Sequence, residues 1–268
     1  KFKGNMKRND WRRMHINNFI RQINTEVHRV KPWVKFGVSP FGIWRPGHPK
    51  QIKGLDAYDE LYADARLWLR EGWLDYCAPQ LYWQIADTEQ AFPVLMQWWH
   101  EQNPKRRHLW PGINTAKVKT WKAKEFLSQI NLTRRHPGVT GNIHWNISAL
   151  ANNDGDLGAM LQRGIYSQPA LPPASPWLDN RPPKAPSVGS KWDAARRQII
   201  LTWRAAPDEP IRRWLFQIRV KGRWYSQVLP ASQVAGVVRA GTGLPEYIAL
   251  TAIDRGGNAS PPTVLGRR

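Results

Sequence analysis

Cysteine is almost absent from this chain, because Cys77 is the only one among its 268 residues. A single cysteine excludes an intramolecular disulfide framework and a metal site built from several cysteines. Long apolar runs are lacking too: no stretch of about 18 apolar residues occurs, so the sequence predicts no membrane span. Histidines at metal-ligand spacing are also missing. We therefore expect no metal and no cofactor.

Acidic residues are scarce, with 20 Asp and Glu against 40 Lys and Arg, which gives a net charge of +20. Residues 1–170 hold 25 basic and 14 acidic residues (+11), and residues 171–268 hold 15 and 6 (+9). A polycation favours anionic partners, such as nucleic acid, membrane surfaces or a cell wall. Because the excess is spread over the whole chain, we expect no specific nucleic-acid partner.

Tryptophan and proline are plentiful instead, at 16 and 22 residues. Tryptophan faces stack well on sugars and on bases. Many prolines gather in SQPALPPASPWLDNRPPKAPSVGS, residues 167–190, and predict an extended linker there. The chain is thereby divided into a first domain, residues 1–166, and a second, residues 191–268. Because it begins at Lys1 without an initiator Met, we expect a processed or truncated N-terminus.

The first domain alternates helical and strand patterns. Asp10 fits the cap of a first helix that ends near Arg29, and an apolar strand follows, residues 33–42. The helix 56–71 follows this strand, and three further strands, 74–83, 107–114 and 141–147, are each followed by a helix, 89–102, 118–130 and 156–166. Such alternation is typical of parallel βα units. Four units fit an open doubly wound sheet or half of an eight-stranded barrel, and a start on a helix favours the barrel half.

In the second domain, apolar residues recur at every second position. Ile199, Leu201 and Trp203 share one face of a predicted strand, and Lys221-Gly222 is typical of a hairpin turn. Several short strands within about 80 residues predict an all-β antiparallel sandwich.

Several long blocks of the first domain carry a family resemblance. They read DWRRMHINNFI, KPWVKFGVSPFGIWRPG, GLDAYDELYADARLWLREGWLDYCAPQLYW and RHLWPGIN. Together they resemble the glycosyl hydrolase-like 10 family (the DUF187 group) over roughly residues 1–166. In the second domain, AIDRGGNASPP, which comes after ILTW, is similar to the end of fibronectin type III domains.

The family resemblance implies an α/β fold that forms the C-terminal half of a TIM (β/α)8 barrel, followed by a fibronectin type III-like sandwich. It implies a bacterial, exported enzyme, periplasmic or extracellular, that acts on a polysaccharide, with cell-wall glycan as the leading substrate. Hydrolysis would use carboxylates as general acid and base. The first four strands and their acidic cluster would lie upstream of Lys1.

Candidate binding residues lie where the predicted parallel strands end, since barrel enzymes build their sites there. They are mostly aromatic, amide and hydroxyl side chains, which suit the faces and hydroxyl groups of sugars. The candidates are Ser39, Trp44, Arg45, Gln80, Tyr82, Trp83, Asn114 and Trp145, with Phe41, His144 and Asn146 beside them. His144 is a proton shuttle, a metal ligand or a hydrogen-bonded core group.

Carboxylates are few near these strand ends, although glycoside hydrolysis normally needs two of them. Asp56 is a weak catalytic candidate, and its position also fits a helix N-cap. No catalytic pair is assignable from the sequence. The leading hypothesis is a glycoside hydrolase, and the alternative is a carbohydrate-binding protein without catalysis. A nucleic-acid binder is the third hypothesis, motivated by the charge and the aromatic residues.

Overall fold

The computed structural model describes residues 4–207, 210–239 and 243–266. The chain divides into two compact units, unit 1 (Lys1–Ile165) and unit 2 (Tyr166–Arg268). In the part of the chain that the structure describes, no helix is both long and apolar enough to cross a membrane.

Unit 1 contains helices and short parallel strands. The helices are α1 (Arg8–Val30), α2 (Ala57–Glu60), α3 (Ala65–Arg70), α4 (Phe92–Glu101), α5 (Ala123–Arg135), α6 (Ile147–Ala151) and α7 (Leu157–Arg163), with 3-10 turns at Thr115–Lys119 and Asp154–Asp156. The strands are β1 (Gly37–Val38), β2 (Tyr76–Cys77), β3 (His108–Leu109), β4 (Gly112–Ile113) and β5 (Ile143–His144).

The strands of unit 1 neighbour one another in chain order, and every pairing is parallel. β1 pairs with β2, β2 with β3, and β4 with β5. Single bridges join Phe41 to Gln80 and Gln80 to Gly112, so the two ladders form one continuous series. A doubly wound sheet reverses its strand order at a switch point. No such reversal occurs among the described strands, so the order disfavours the doubly wound alternative.

Three helices differ from the sequence prediction. α1 begins at Arg8, so Asp10 lies in its first turn and does not cap it. The single helix predicted at residues 56–71 is two helices, because Asp64 caps α3 through Leu67 N while Tyr62 has a φ of +55°. The helix predicted from Val118 is a 3-10 turn followed by α5. In the second case a side-chain cap sets where the helix begins.

The core of unit 1 lies between its strands and helices. α4 buries Phe92, Leu95, Met96, Trp98 and Trp99. Trp99 Nε1 donates to the carbonyl oxygen of Gly42 at 2.8 Å, which ties α4 to the segment that follows β1. At the other end of the strands, Asp75 is buried and accepts from Phe36 N at 2.7 Å. It also contacts His28 Nε2 at 2.9 Å.

Unit 2 is a β-sandwich of two antiparallel sheets. Its strands are β6 (Ser187–Asp193), β7 (Gln198–Arg204), β8 (Ile211–Val220), β9 (Arg223–Pro230), β10 (Ala235–Arg239), β11 (Tyr247–Asp254) and β12 (Thr263–Gly266). One sheet has the order β10-β7-β6 and the other β12-β11-β8-β9. Leu201 and Trp203 from the first sheet share one core with Trp214 and Leu250 from the second. The alternating pattern of the sequence thus corresponds to inward-facing residues.

The proline-rich segment, predicted as an extended linker over residues 167–190, falls within unit 2. Ser175 N donates to Gly256 O at 3.2 Å, and Asn258 Nδ2 donates to Asp179 O at 3.1 Å. Its last residues already belong to β6, which begins at Ser187. Because backbone groups of the segment are hydrogen-bonded to the sandwich, it packs on that domain and is not a free spacer.

Candidate functional site

The ends of the parallel strands in unit 1 bring most of the predicted binding residues together. The Phe41–Gln80 and Gln80–Gly112 bridges align the ends of neighbouring strands. In a sheet of parallel strands, side chains that follow the strands emerge at the same edge. We call this group the strand-end rim, and it comprises Phe41, Gln80, Tyr82, Trp83, Asn114 and Trp145.

Tyr82 and Trp145 form the exposed aromatic pair of the rim. Their rings are stacked, with centroids 6.4 Å apart and planes inclined by 28°. Gly112 makes room for the tyrosine, since a Cβ there would lie 3.0 Å from Tyr82 Cε1. Trp145 is 56% exposed, and partial burial raises the pKa of the Tyr82 hydroxyl. This pair therefore offers a ring face to a ligand and keeps a neutral phenol beside it.

Phe41 and Trp83 form a second aromatic pair, edge to face, with centroids 5.7 Å apart. Trp83 lies across the backbone at Gly42, where a Cβ would come within 2.7 Å of its ring. Its carbonyl oxygen accepts from Gln129 Nε2 at 3.0 Å. The Trp83 ring is thus half-buried against Phe41 and the Gly42 backbone, so it offers less free surface than Trp145 does.

Amides supply the polar part of the rim. Gln80 Nε2 donates to the carbonyl oxygen of the exposed Ser39 at 3.1 Å. The Oδ1 atom of Asn114 is buried and has no hydrogen-bond partner within the described residues. An orphaned buried acceptor costs free energy, so a donor from a bound ligand would be stabilising there. Asn146 differs, because its side chain accepts from Ser148 N and caps α6.

Trp44, Arg45 and Asp56 form a separate cluster. Trp44 is buried, stacks on Trp98 at 5.9 Å and donates from Nε1 to Asp64 at 3.0 Å. Its ring is therefore used in packing and is not offered to a ligand. Arg45 contacts two carboxylates, with Nε 3.1 Å from Asp56 Oδ2 and a terminal nitrogen 2.8 Å from an oxygen of Asp59.

Asp56 is the N-cap of α2. Its Oδ1 accepts from Asp59 N at 3.0 Å, while its Oδ2 accepts from Arg45. Both carboxylate oxygens are thus engaged, as the capping interpretation expects. The other acids of these loops are held in a similar way: Asp64 caps α3, and Asp87 accepts from Glu89 N and Gln90 N. The structure does not single out a catalytic pair among them.

A cavity of about 490 Å³ lies in the loops beside Trp83. It is lined by Gln84, Ile85, Ala86, Thr120, Trp121, Lys122, Lys124, Glu125 and Ser128. Glu125, on α5, joins that helix to the loop after Trp83, since its Oε1 accepts from Ile85 N at 2.8 Å. The same oxygen accepts from Gln129 Nε2 at 2.8 Å. Sequence reasoning missed this cavity, because its walls come from the loop after Trp83 and from the start of α5 with the residues before it, about 35 residues apart in sequence.

A stack of aromatic rings lies deeper along the strands, and the sequence analysis did not identify it. Trp110 stacks on Tyr76 at 4.7 Å and on His108 at 5.2 Å. Thr140 Oγ1 lies 3.1 Å from His108 Nδ1 and accepts from Trp110 Nε1 at 2.9 Å. Burial lowers the pKa of His108 to about 4, with nearby Lys35 acting in the same direction. This histidine is therefore neutral at pH 7.

His144 lies in β5, next to the rim. Its Nε2 is 3.1 Å from Asn142 Nδ2, and burial lowers the pKa of the imidazole. Among the sequence interpretations, this placement favours a hydrogen-bonded, partly buried group. Cys77 is fully buried in β2, and burial strongly raises the pKa of its thiol. Within the described residues, no cluster of three or more His, Cys, Asp or Glu could hold a metal ion.

Sequence comparisons support the resemblance of unit 1 to glycoside hydrolases. Residues 3–127 match the family model described as Glycosyl hydrolase-like 10. The chain is 40% identical over 191 residues to Glycosyl hydrolase YngK of Bacillus subtilis. This alignment covers 67% of this chain and 38% of that protein. It is also 40% identical over 114 residues to Glycosyl hydrolase DigH of Escherichia coli K12, covering 41% and 26%. The chain thus spans well under half the length of these relatives.

Solved structures similar to this chain cover only part of it. The fibronectin type III domain of human collagen XX aligns with 22% identity and a TM-score of 0.27, over 37% of this chain and all of that one. A redesigned β-sandwich protein aligns with 19% identity and a TM-score of 0.26, over 31% of this chain and 89% of that one. The sandwich fold of unit 2 rests on its own strand order and core.

Proposed function

We propose that unit 1 is the C-terminal half of a glycoside hydrolase barrel and that the strand-end rim binds the polysaccharide substrate. The observation that carries the proposal is the exposed Trp145 ring, stacked on Tyr82 at the C-terminal ends of parallel strands. Enzymes built on parallel βα barrels hold their substrates at this end. The chain-order pairing of the strands supports a singly wound barrel.

The chemistry of the rim fits a sugar polymer. Indole and phenol rings stack on the C–H faces of pyranose rings, and amides hydrogen-bond to hydroxyl and acetamido groups. The buried Oδ1 of Asn114 would accept from such a group, while Gln80 is held by its bond to Ser39 O. The cavity lined by Trp121, Lys122 and Lys124 would extend the binding surface past Trp83.

The catalytic carboxylates, on this proposal, belong to the part of the natural protein outside this chain. Asp56 and its neighbours are engaged in helix caps and ion pairs, so none is free for acid–base work. The relatives named glycosyl hydrolase are more than twice as long as the matched region. We further propose bacterial cell-wall glycan as the substrate, a periplasmic or extracellular location, and a fibronectin type III-like accessory role for unit 2.

Replacement of Trp145 tests the proposal. In the full-length protein, Trp145→Ala should weaken binding to purified cell-wall glycan about tenfold, or ~1.4 kcal/mol. Trp145→Phe should retain most of the affinity, because a ring remains. Trp192→Ala, at an exposed position in unit 2, is the matched control and should change affinity by less than about twofold. Equal affinity of Trp145→Ala and wild type, measured by glycan pull-down, would exclude the rim as the binding surface.

A carbohydrate-binding protein without catalysis is the second candidate. It is favoured by the engagement of the carboxylates near the rim. Asp56 and Asp64 cap helices, and Asp87 and Glu125 accept from backbone N–H groups. The two candidates differ in turnover. If the full-length protein binds glycan through Trp145 but releases no reducing ends from it, the binding function stands and the hydrolase function is wrong.

A further inference from the structure

One face of the four-stranded sheet in unit 2 carries two exposed aromatic rings beside an arginine. Arg219 on β8 pairs in register with Trp224 on β9 and with Tyr247 on β11. These three residues therefore form a row across three adjacent strands. Their sequence neighbours Ile218 and Ile248 pack in the core, so the row lies on the opposite, outer face. We call this row the outer aromatic face.

The two rings lie close together and remain accessible. The Trp224 and Tyr247 centroids are 6.5 Å apart with planes inclined by 30°, and each residue is 41% exposed. Gly266, the register partner of Tyr247 on β12, leaves space for that ring, since a Cβ there would lie 3.2 Å from Tyr247 Cε1. An exposed Trp and Tyr in one cluster leave apolar surface in contact with water, which is unfavourable. Such clusters are typical of recognition surfaces.

Arg219 lies on the middle strand of the row, and its guanidinium contacts the Tyr247 ring. Its guanidinium carbon lies 5.8 Å from the Tyr247 centroid, and its Nε is 3.3 Å from Glu246 Oε2. Glu246 also accepts from Gly222 N at 2.8 Å, which anchors the β8–β9 turn to the same carboxylate. Within the described residues, the terminal nitrogens of Arg219 make no hydrogen bond or ion pair of their own. These nitrogens are donors suited to a carboxylate or phosphate.

The local charge is mostly positive, with Glu246 as the acidic residue beside Arg219. Residues 210–245 contain six Lys and Arg and no Asp or Glu. Arg223, next to Trp224, places its guanidinium 5.5 Å from the Tyr225 ring. A ligand of this surface should therefore combine flat apolar faces with negative charge. An acidic polysaccharide has both, since its pyranose faces stack on rings while its acidic groups pair with arginine.

We infer that the outer aromatic face of unit 2 is a second glycan-binding site, which takes a polysaccharide with acidic groups. The choice of a polysaccharide over another polyanion rests on the proposed function of unit 1. The site would hold the protein on its polymer independently of the strand-end rim. Nucleic acid, whose bases also stack on aromatic rings, becomes an outcome of the test.

The experiment uses the full chain with Trp145→Ala as background, so that the rim contributes little. Polygalacturonate is the acidic probe, and its methyl-esterified form is the neutral control with the same backbone. Affinity electrophoresis at physiological salt should show that Trp224→Ala weakens polygalacturonate binding about tenfold. Trp192→Ala, on the other sheet, should change it by less than about twofold. Trp224→Phe should retain most of the binding and serves as the folding control.

Charge is tested by a second pair of variants. Arg219→Gln should weaken polygalacturonate binding severalfold, whereas Arg196→Gln, an equal charge change at a 77% exposed turn residue, should not. The methyl-esterified probe should bind more weakly than the acid form. Binding unchanged by Trp224→Ala, or lowered equally by Trp192→Ala, would overturn the inference. Tighter binding of oligothymidine, lost in Trp224→Ala, would assign the face to nucleic acid instead.

The two proposals fail separately. If Trp145→Ala leaves glycan binding unchanged while Trp224→Ala removes it, the rim proposal is wrong and the outer aromatic face stands. If Trp145→Ala removes all binding and Trp224→Ala adds nothing, the rim stands and the second site is wrong.

Discussion

The two units use tryptophan in two different chemical settings. In unit 1, the exposed Trp145 lies beside Tyr82 and amide side chains at the ends of parallel strands. In unit 2, the exposed Trp224 lies beside Arg219 on the outer face of an antiparallel sheet. Each unit also buries other tryptophans, such as Trp99 and Trp214. The comparison teaches that the neighbours of an indole ring, rather than the residue type, decide what the ring can bind.

The units differ as well in titratable groups. All seven histidines lie in unit 1, and residues 166–268 contain none. Three of those histidines, His108, His136 and His144, have a pKa lowered by burial. A drop in pH between 7 and 4 should therefore affect unit 1 through its histidines and leave unit 2 without such a contribution.

The largest expected effect separates buried from exposed tryptophans, and it concerns the stability of the core of unit 2. Trp214 is 1% exposed and packs between the two sheets. Trp214→Ala should lower the free energy of unfolding by about 3–5 kcal/mol, since it removes a large buried ring and leaves a cavity. Trp224→Ala should cost much less, about 1 kcal/mol or below, because that ring lies on the outer face of the sheet and is 41% exposed. Urea unfolding monitored by circular dichroism measures both, and equal losses would contradict the division into core and surface rings.

The next largest expected effect is the loss of stability of unit 1 at acidic pH. His108 has a folded-state pKa of about 4, below the unfolded value of about 6.5. Protonation therefore favours the unfolded state, so its stabilising contribution is complete above pH 6.5 and lost as the pH falls towards 4. The free energy of unfolding should decrease by up to about 3 kcal/mol over that range.

His108→Gln tests this pH dependence, because glutamine keeps a polar contact to Thr140 but does not titrate. The variant should lose much of the decrease between pH 7 and pH 4.5 in urea unfolding. His15→Gln, at an exposed position of α1, should retain the wild-type slope. An unchanged slope in His108→Gln would show that another group is responsible.

The smallest effect concerns the acid that the sequence offered as a catalytic candidate. Asp56→Ala should destabilise unit 1 by about 1 kcal/mol, because it removes the cap of α2. Asp56→Asn should cost less than half as much, since asparagine caps equally well. If the carboxylate is not catalytic, Asp56→Asn in the full-length protein keeps any turnover on glycan. Loss of turnover in Asp56→Asn with unchanged stability would assign it a direct role.

Parts of the fold follow directly from local patterns. The alternation of Ile199, Leu201 and Trp203 predicts a strand, and β7 spans Gln198–Arg204. The predicted turn at Lys221-Gly222 is confirmed, with Val220 paired to Arg223 and positive φ at both turn residues. In both cases the signal lies within a few residues, because strand alternation and tight turns depend on short-range geometry.

The strand-end rim could be predicted only in part. Trp44 and Trp145 both follow strands that look alike in sequence, so both are predicted as binding residues. Trp44 is covered by Trp98 and bound to Asp64, whereas Trp145 stays exposed. The cavity between the loops at Gln84 and Trp121 was missed entirely. Such outcomes depend on residues far apart in sequence, which no local pattern records.

The sequence by itself determined the charge, the parallel and antiparallel halves of the molecule, and the family resemblance of residues 1–166. It did so because composition, periodicity and long motif blocks are local properties of the chain. Only the tertiary structure decided which tryptophans face solvent, that Asp56 caps a helix, and that Trp224, Arg219 and Tyr247 share one face. Burial and register arise when distant segments meet, because packing fixes them and the local chain does not.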